Sequence, residues 1–140
     1  MSKINMGKVI VGGIVAGIVL NVIDYLVNGY FLAERWTEAA KKLNTGVDAW
    51  GASAIASYVV GDFILAILIV WLYAAMRPRF GAGAGTALRS SLVVWVTAAL
   101  FNVLLVVLGV YPLHLVLMSL TGTLVGMIAA GYVGGMMYKE

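Results

Sequence analysis

The sequence predicts an all-α fold: an integral membrane bundle of four antiparallel helices in one domain. Three observations carry that expectation. Of the 140 residues, 63% are hydrophobic, and only 11% are charged, against roughly 25% in soluble domains. The apolar residues gather into four long runs, and most charged residues flank those runs. A water-soluble domain of this size cannot hide so much apolar surface in one core, so part of the solvent for this chain is lipid.

A helix needs about 20 apolar residues to cross the hydrocarbon layer. Runs over about 9–32, 53–76, 90–110 and 113–138 meet that length. They do not alternate apolar and polar residues, and they are too long for the strands of a membrane barrel. The first begins behind Lys3 and Lys8, as a signal peptide does. Its apolar stretch is too long for a signal-peptide core and no small-residue cleavage site follows, so it is expected to be retained.

The connections follow from local signals. Between the first two runs, Trp36, Ala40 and Leu43 recur at helical spacing and Glu38 precedes Lys42 by four, which predicts a short amphipathic helix in the membrane interface. It should end near Asn44, Thr45 and Gly46. Pro78 is expected to stop the second span, opening a loop through Gly85. A tight turn from Gly109 to Pro112 should join the last two spans.

Lys and Arg placement gives an orientation. Lys3, Lys8, Arg77, Arg79, Arg89 and Lys139 fall on one side, and only Arg35, Lys41 and Lys42, mixed with Glu34, Glu38 and Asp48, fall on the other. The first side, with both termini, is expected to be cytoplasmic. Arg77, Arg79 and Arg89 should anchor helix ends against anionic headgroups.

Several function classes are disfavoured by composition. There is no cysteine and one histidine, His114, which removes disulfides, thiolate metal sites and paired-histidine ligation. No metal, cofactor or nucleic-acid partner is expected, and no nucleophile elbow or Walker pattern suggests an enzyme.

The informative residues are those that lipid penalises. Asp24 and Asp62 lie within the first two spans, where acids are rare and face the bundle interior. Asn21, Asp24 and Asn28 share one helical face. Counted from the outer helix ends, Asp24, Asp62, Asn102 and Thr121 each lie about eight or nine residues in, or ~12 Å, which predicts one polar layer shared by all four helices. Two readings stay open: hydrogen bonds that fix the packing, or a protonatable pair, Asp24 and Asp62, that binds a cation or relays protons.

Small residues supply a second pattern. Gly122, Gly126, Ala130 and Gly134 recur every four residues, a ribbon that admits a close helix. Gly13 and Gly17 offer a matching groove, so the first and fourth helices are expected to pack together there. A homodimer or a partner subunit is the alternative occupant.

Trp71, Tyr73, Arg77, Pro78, Arg79, Phe80 and Gly81, followed by Ala87, Leu88, Arg89 and Trp95, carry a family resemblance, as do Gly12, Gly13, Asn21 and Trp36. The chain resembles small bacterial inner-membrane proteins of unknown function with four spans. The resemblance implies a bacterial cytoplasmic membrane and no catalytic residues. Within that frame the sequence allows three functions: a structural or accessory membrane protein, a minimal proton- or cation-coupled transporter or channel subunit using Asp24 and Asp62, or a binder of lipid or a small hydrophobic ligand.

Overall fold

The structure is a computed structural model that describes residues 3–139. Among these residues there are helices and no strands. Four helices are long and apolar enough to cross a membrane: Met6–Phe31, Ala52–Phe80, Ala84–Val107 and Leu113–Met137.

The first span has two parts. Helix α1 (Met6–Asp24) starts where the Asn5 side chain accepts a hydrogen bond from the Lys8 amide at 3.1 Å, a polar N-cap that satisfies one orphan donor. From Tyr25 the chain widens into a π-helical segment, Tyr25–Phe31. Its wide register appears at the exit, where the Leu32 amide donates to the Val27 carbonyl at 2.9 Å, five residues back. Helix α2 (Ala33–Leu43) follows and stops at Asn44, which takes left-handed angles of φ 49° and ψ 36°. Asparagine tolerates that conformation better than most residues.

The short α2 does more than lie at an interface. Ala39 is its buried residue, clustered with Leu32 and Leu115, and Trp36 packs beside them. The Trp36 ring meets Tyr111 edge-on at 5.2 Å. The buried edge is thus Trp36 and Ala39, while Leu43 remains 37% exposed; docking onto the start of the last span, not helical spacing alone, selects the face.

Helix α3 (Ala52–Phe80) runs through Pro78, which corrects the expected stop. A proline this close to the C-terminus removes one amide from the last turn, and the helix still closes through Gly81, whose amide donates to the Arg77 carbonyl at 2.9 Å. Gly81 has φ 79° and Gly83 φ 125°, conformations glycine enters at little cost; these residues terminate α3. Helix α4 (Ala84–Val107) consequently begins six residues before the expected 90. Thr86 fixes the corner by donating its hydroxyl to the Gly81 carbonyl at 2.7 Å. Gly109, at φ 74°, makes the turn into α5 (Leu113–Met137).

Around the bundle, α1 packs between α3 and α5, and α4 closes the other side against the same two helices. The core is built from Ala16 and Leu20 of α1, Ala66, Ile69 and Val70 of α3, and Met127 and Ala130 of α5. Glycines set how close the backbones come. A methyl on Gly134 would stand 2.4 Å from Val70 and 3.1 Å from Ala16, and one on Gly126 would stand 3.1 Å from Leu20 and Ile23. The α5 ribbon therefore does face α1, with Gly122 against Val27.

Gly13 and Gly17 do not answer it. A methyl on Gly13 would meet Ile67 at 2.5 Å, and one on Gly17 would meet Phe63 at 2.3 Å, so both admit α3. Gly12 is the α1 glycine against α5, its own methyl position 3.1 Å from the Gly134 carbonyl. One residue rotates a helix by about 100°, enough to hand the groove to a different neighbour.

Packing is uneven along the bundle. Every buried residue of α4 lies between Thr86 and Val94, in its first half. On α3 the inward stripe is buried from Asp62 through Ala66 and Ile69 to Tyr73. Continued the other way, the same stripe reaches Tyr58 and Ile55, exposed by 52% and 45%. The buried residues of α3 and α4 thus gather toward the end that carries the termini, and the outer ends of both helices are exposed.

Candidate functional site

Asp62 is the last buried residue on the α3 stripe toward the end that carries α2. It is 9% exposed, and its carboxyl neighbours that of Asp24. The Thr123 hydroxyl of α5 lies 3.4 Å from Asp24 Oδ1 and donates to the Ser119 carbonyl at 2.9 Å. Three helices thus bring two carboxyls and a hydroxyl together.

Asp24 is also the last residue before the π-helical segment. Such widened turns break the regular ladder of amide bonds and recur at functional sites in membrane and soluble helices alike. Here the widening carries Asn28 toward α2 and α5. Its side-chain oxygen accepts from the Ser119 hydroxyl at 2.7 Å and from the Trp36 indole at 3.0 Å. Asn21, one turn before Asp24, donates to the Gly17 carbonyl at 2.9 Å and to the Val59 carbonyl of α3 at 3.4 Å. Asn21, Asp24 and Asn28 therefore link the first span to both its neighbours.

The expected four-helix layer is a three-helix layer. Asn102 is half-buried and donates to the Ala98 carbonyl of its own helix at 2.9 Å. Thr121 is exposed and donates to the Leu117 carbonyl at 2.8 Å; it lines a surface groove of about 360 Å³ with Val27, Phe31 and Met118. Depth is not direction. Thr121 and Thr123 are two residues, or about 200°, apart on the helix, and only Thr123 points at Asp24. The sequence did hold that signal: Ser119 and Thr123 lie seven and three residues before Gly126, on the face the small-residue ribbon gives to α1.

The basic residues gather at the other end. The Asn5 amide donates to the Tyr138 hydroxyl at 3.1 Å, and the Lys8 ammonium donates to the Lys139 carbonyl, so the beginning and end of the chain meet. Arg77 donates to the Tyr138 carbonyl at 3.4 Å. Arg89 lies 5.0 Å over the Phe80 ring, and Arg79 is exposed. His114 is exposed at the first turn of α5, away from the aspartates. Among the described residues no group of three or more His, Asp or Glu gathers as a metal cluster would.

Four apolar helices packed around a shared core define a multi-pass membrane protein. No protein-family model, curated protein or solved structure matches the chain.

Proposed function

We propose that this multi-pass protein is a minimal proton- or cation-coupled transporter or channel subunit, with the Asp24–Asp62 pair as its working site. The observation that carries the reading is the pairing of two neighbouring acids, Asp24 and Asp62, on adjacent membrane-spanning helices. Acids in a membrane interior are costly and mark ion and proton pathways. Asp62 is also the buried residue of its α3 stripe nearest the end that carries α2, with Ile55 and Tyr58 beyond it exposed. Two carboxyls and one hydroxyl suit a proton, or one loosely held monovalent ion, better than a divalent cation, which takes about six to eight oxygen ligands.

The reading also fixes an orientation. The terminus end, rich in Lys and Arg, is cytoplasmic, and the aspartate pair lies toward the other side. The resemblance to small four-span bacterial proteins supports a bacterial cytoplasmic membrane.

The test is proton flux into liposomes carrying the purified protein and a trapped pH dye. Wild type should collapse an imposed gradient faster than protein-free liposomes, and Asp24→Asn with Asp62→Asn should abolish the difference. Equal flux in the double variant, or none from wild type, removes the reading.

A structural role is the second reading, and one observation favours it. Among the described residues no buried side-chain nitrogen or oxygen lacks a hydrogen-bond partner, as expected where polar groups serve as interhelical glue. In that case Asp62→Leu loses stability and the wild type carries no flux.

A further inference from the structure

We propose that the cleft at the terminus end of the bundle binds the phosphodiester headgroup of an anionic lipid. The cleft encloses about 400 Å³, and its lining includes Tyr73, Arg77, Gly83, Tyr132, Tyr138 and Lys139. It is separate from the aspartate pair and does not depend on the function proposed for that pair.

Its position suits a headgroup. Arg77 lies eleven residues beyond Ala66, near the middle of the 29-residue α3. At the helical rise that is ~16 Å, where a hydrocarbon half-thickness of ~15 Å ends. The guanidinium therefore sits at phosphate level, with the Tyr73 and Tyr138 rings beside it.

Its chemistry suits a phosphate. The Arg77 guanidinium carbon is 5.5 Å from the centroid of the Tyr138 ring and 6.0 Å from that of Tyr73. Rings against a guanidinium hold it in one orientation, and its planar fork of N–H donors matches phosphate oxygens. Lys139 adds a second cation to the lining. The wall opposite is fixed in advance, because the Gly83 amide donates to the Tyr73 hydroxyl at 3.1 Å.

Its opening suits a lipid over a soluble anion. Tyr132 and Met136, one turn apart on α5, are exposed by 48% and 54% and form the outward wall of the cleft. On a membrane helix that exposure faces acyl chains, so a lipid can seat its phosphate by Arg77 and run its tails along Met136 and Tyr132.

Native mass spectrometry of the detergent-purified protein with phosphatidylglycerol or phosphatidylcholine of matched chains tests this. Wild type should retain phosphatidylglycerol preferentially, and Arg77→Gln and Lys139→Gln should each weaken retention about fivefold, the effect of one cation near an anionic surface. Arg79→Gln, outside the cleft, should weaken retention less than either. Lys139 is exposed, so its variant keeps the test valid if Arg77→Gln fails to fold. Equal retention of the two lipids by wild type, an unchanged Lys139→Gln, or an equal loss in Arg79→Gln overturns the proposal. Displacement of the lipid by inorganic phosphate at equal concentration overturns the lipid as the ligand and assigns a soluble phosphate instead.

Discussion

Gly131 and Ser91 hold α5 and α4 together at a distance only glycine permits: a methyl built on Gly131 would lie 2.0 Å from the Ser91 hydroxyl oxygen. That hydroxyl is already committed, donating to the Ala87 carbonyl at 2.9 Å. The Ala87 carbonyl itself would be 3.2 Å from the new methyl. Ser91 and Gly131 are both fully enclosed, so neither helix can yield without parting from the other.

Gly131→Ala should therefore destabilise the bundle by about 1–3 kcal/mol, the usual cost of overpacking a filled core. Combining it with Ser91→Ala removes the colliding oxygen and should recover part of the loss. Unfolding in mixed micelles by added denaturing detergent measures both. Additive losses in the double variant would mean that the two residues do not meet.

Glycines on α1 and α3 should divide by what they face. Gly13→Ala drives a methyl to 2.8 Å from the Ile67 backbone, whereas Gly61 has nothing within 4 Å of its methyl position. Gly61→Ala should be neutral or stabilising by up to about 1 kcal/mol from helix propensity. Gly13→Ala should cost more than any propensity gain returns. Melting temperatures of the two variants in one detergent give the comparison.

Asn28 should control the docking of α2. It accepts from both Trp36 and Ser119, so Asn28→Ala leaves two donors without their acceptor, at about 1–3 kcal/mol per buried group. Hydrogen exchange over 33–43 should quicken in that variant. Asn28→Asp keeps acceptor oxygens in place and should leave the exchange near wild type.

The aspartate pair should be more tolerant of amides than of hydrocarbons. In Asp62→Asn the new amide can donate to Asp24, so folding should change by less than about 1 kcal/mol. Asp62→Leu removes the partner and strands a carboxyl in the interior, at about 1–3 kcal/mol. Thermal unfolding of the two variants separates a packing loss from any loss of proton flux.

Legibility differed between elements for physical reasons. The four spans were readable because a lipid-facing helix must be apolar along its whole length. Asp24 and Asp62 were readable because an acid there needs a partner. Pro78 misled because a proline disrupts a helix interior far more than its final turn. The π-helical segment left no mark that periodicity detects: Tyr25–Phe31 is as apolar as an α-helical run.

The sequence by itself determined how many spans there are and which residues lipid would not accept. Those properties are local, set by transfer energies and backbone conformation residue by residue. Only the tertiary structure decided that Gly13 and Gly17 admit α3 and not α5, and that Asp62 stands where the buried stripe of α3 ends. A span clad in apolar residues on every side has no polar face to reveal its rotation. Which side of such a helix meets which neighbour is fixed by the fit of side chains such as Ile67, Phe63 and Val70 into glycine grooves.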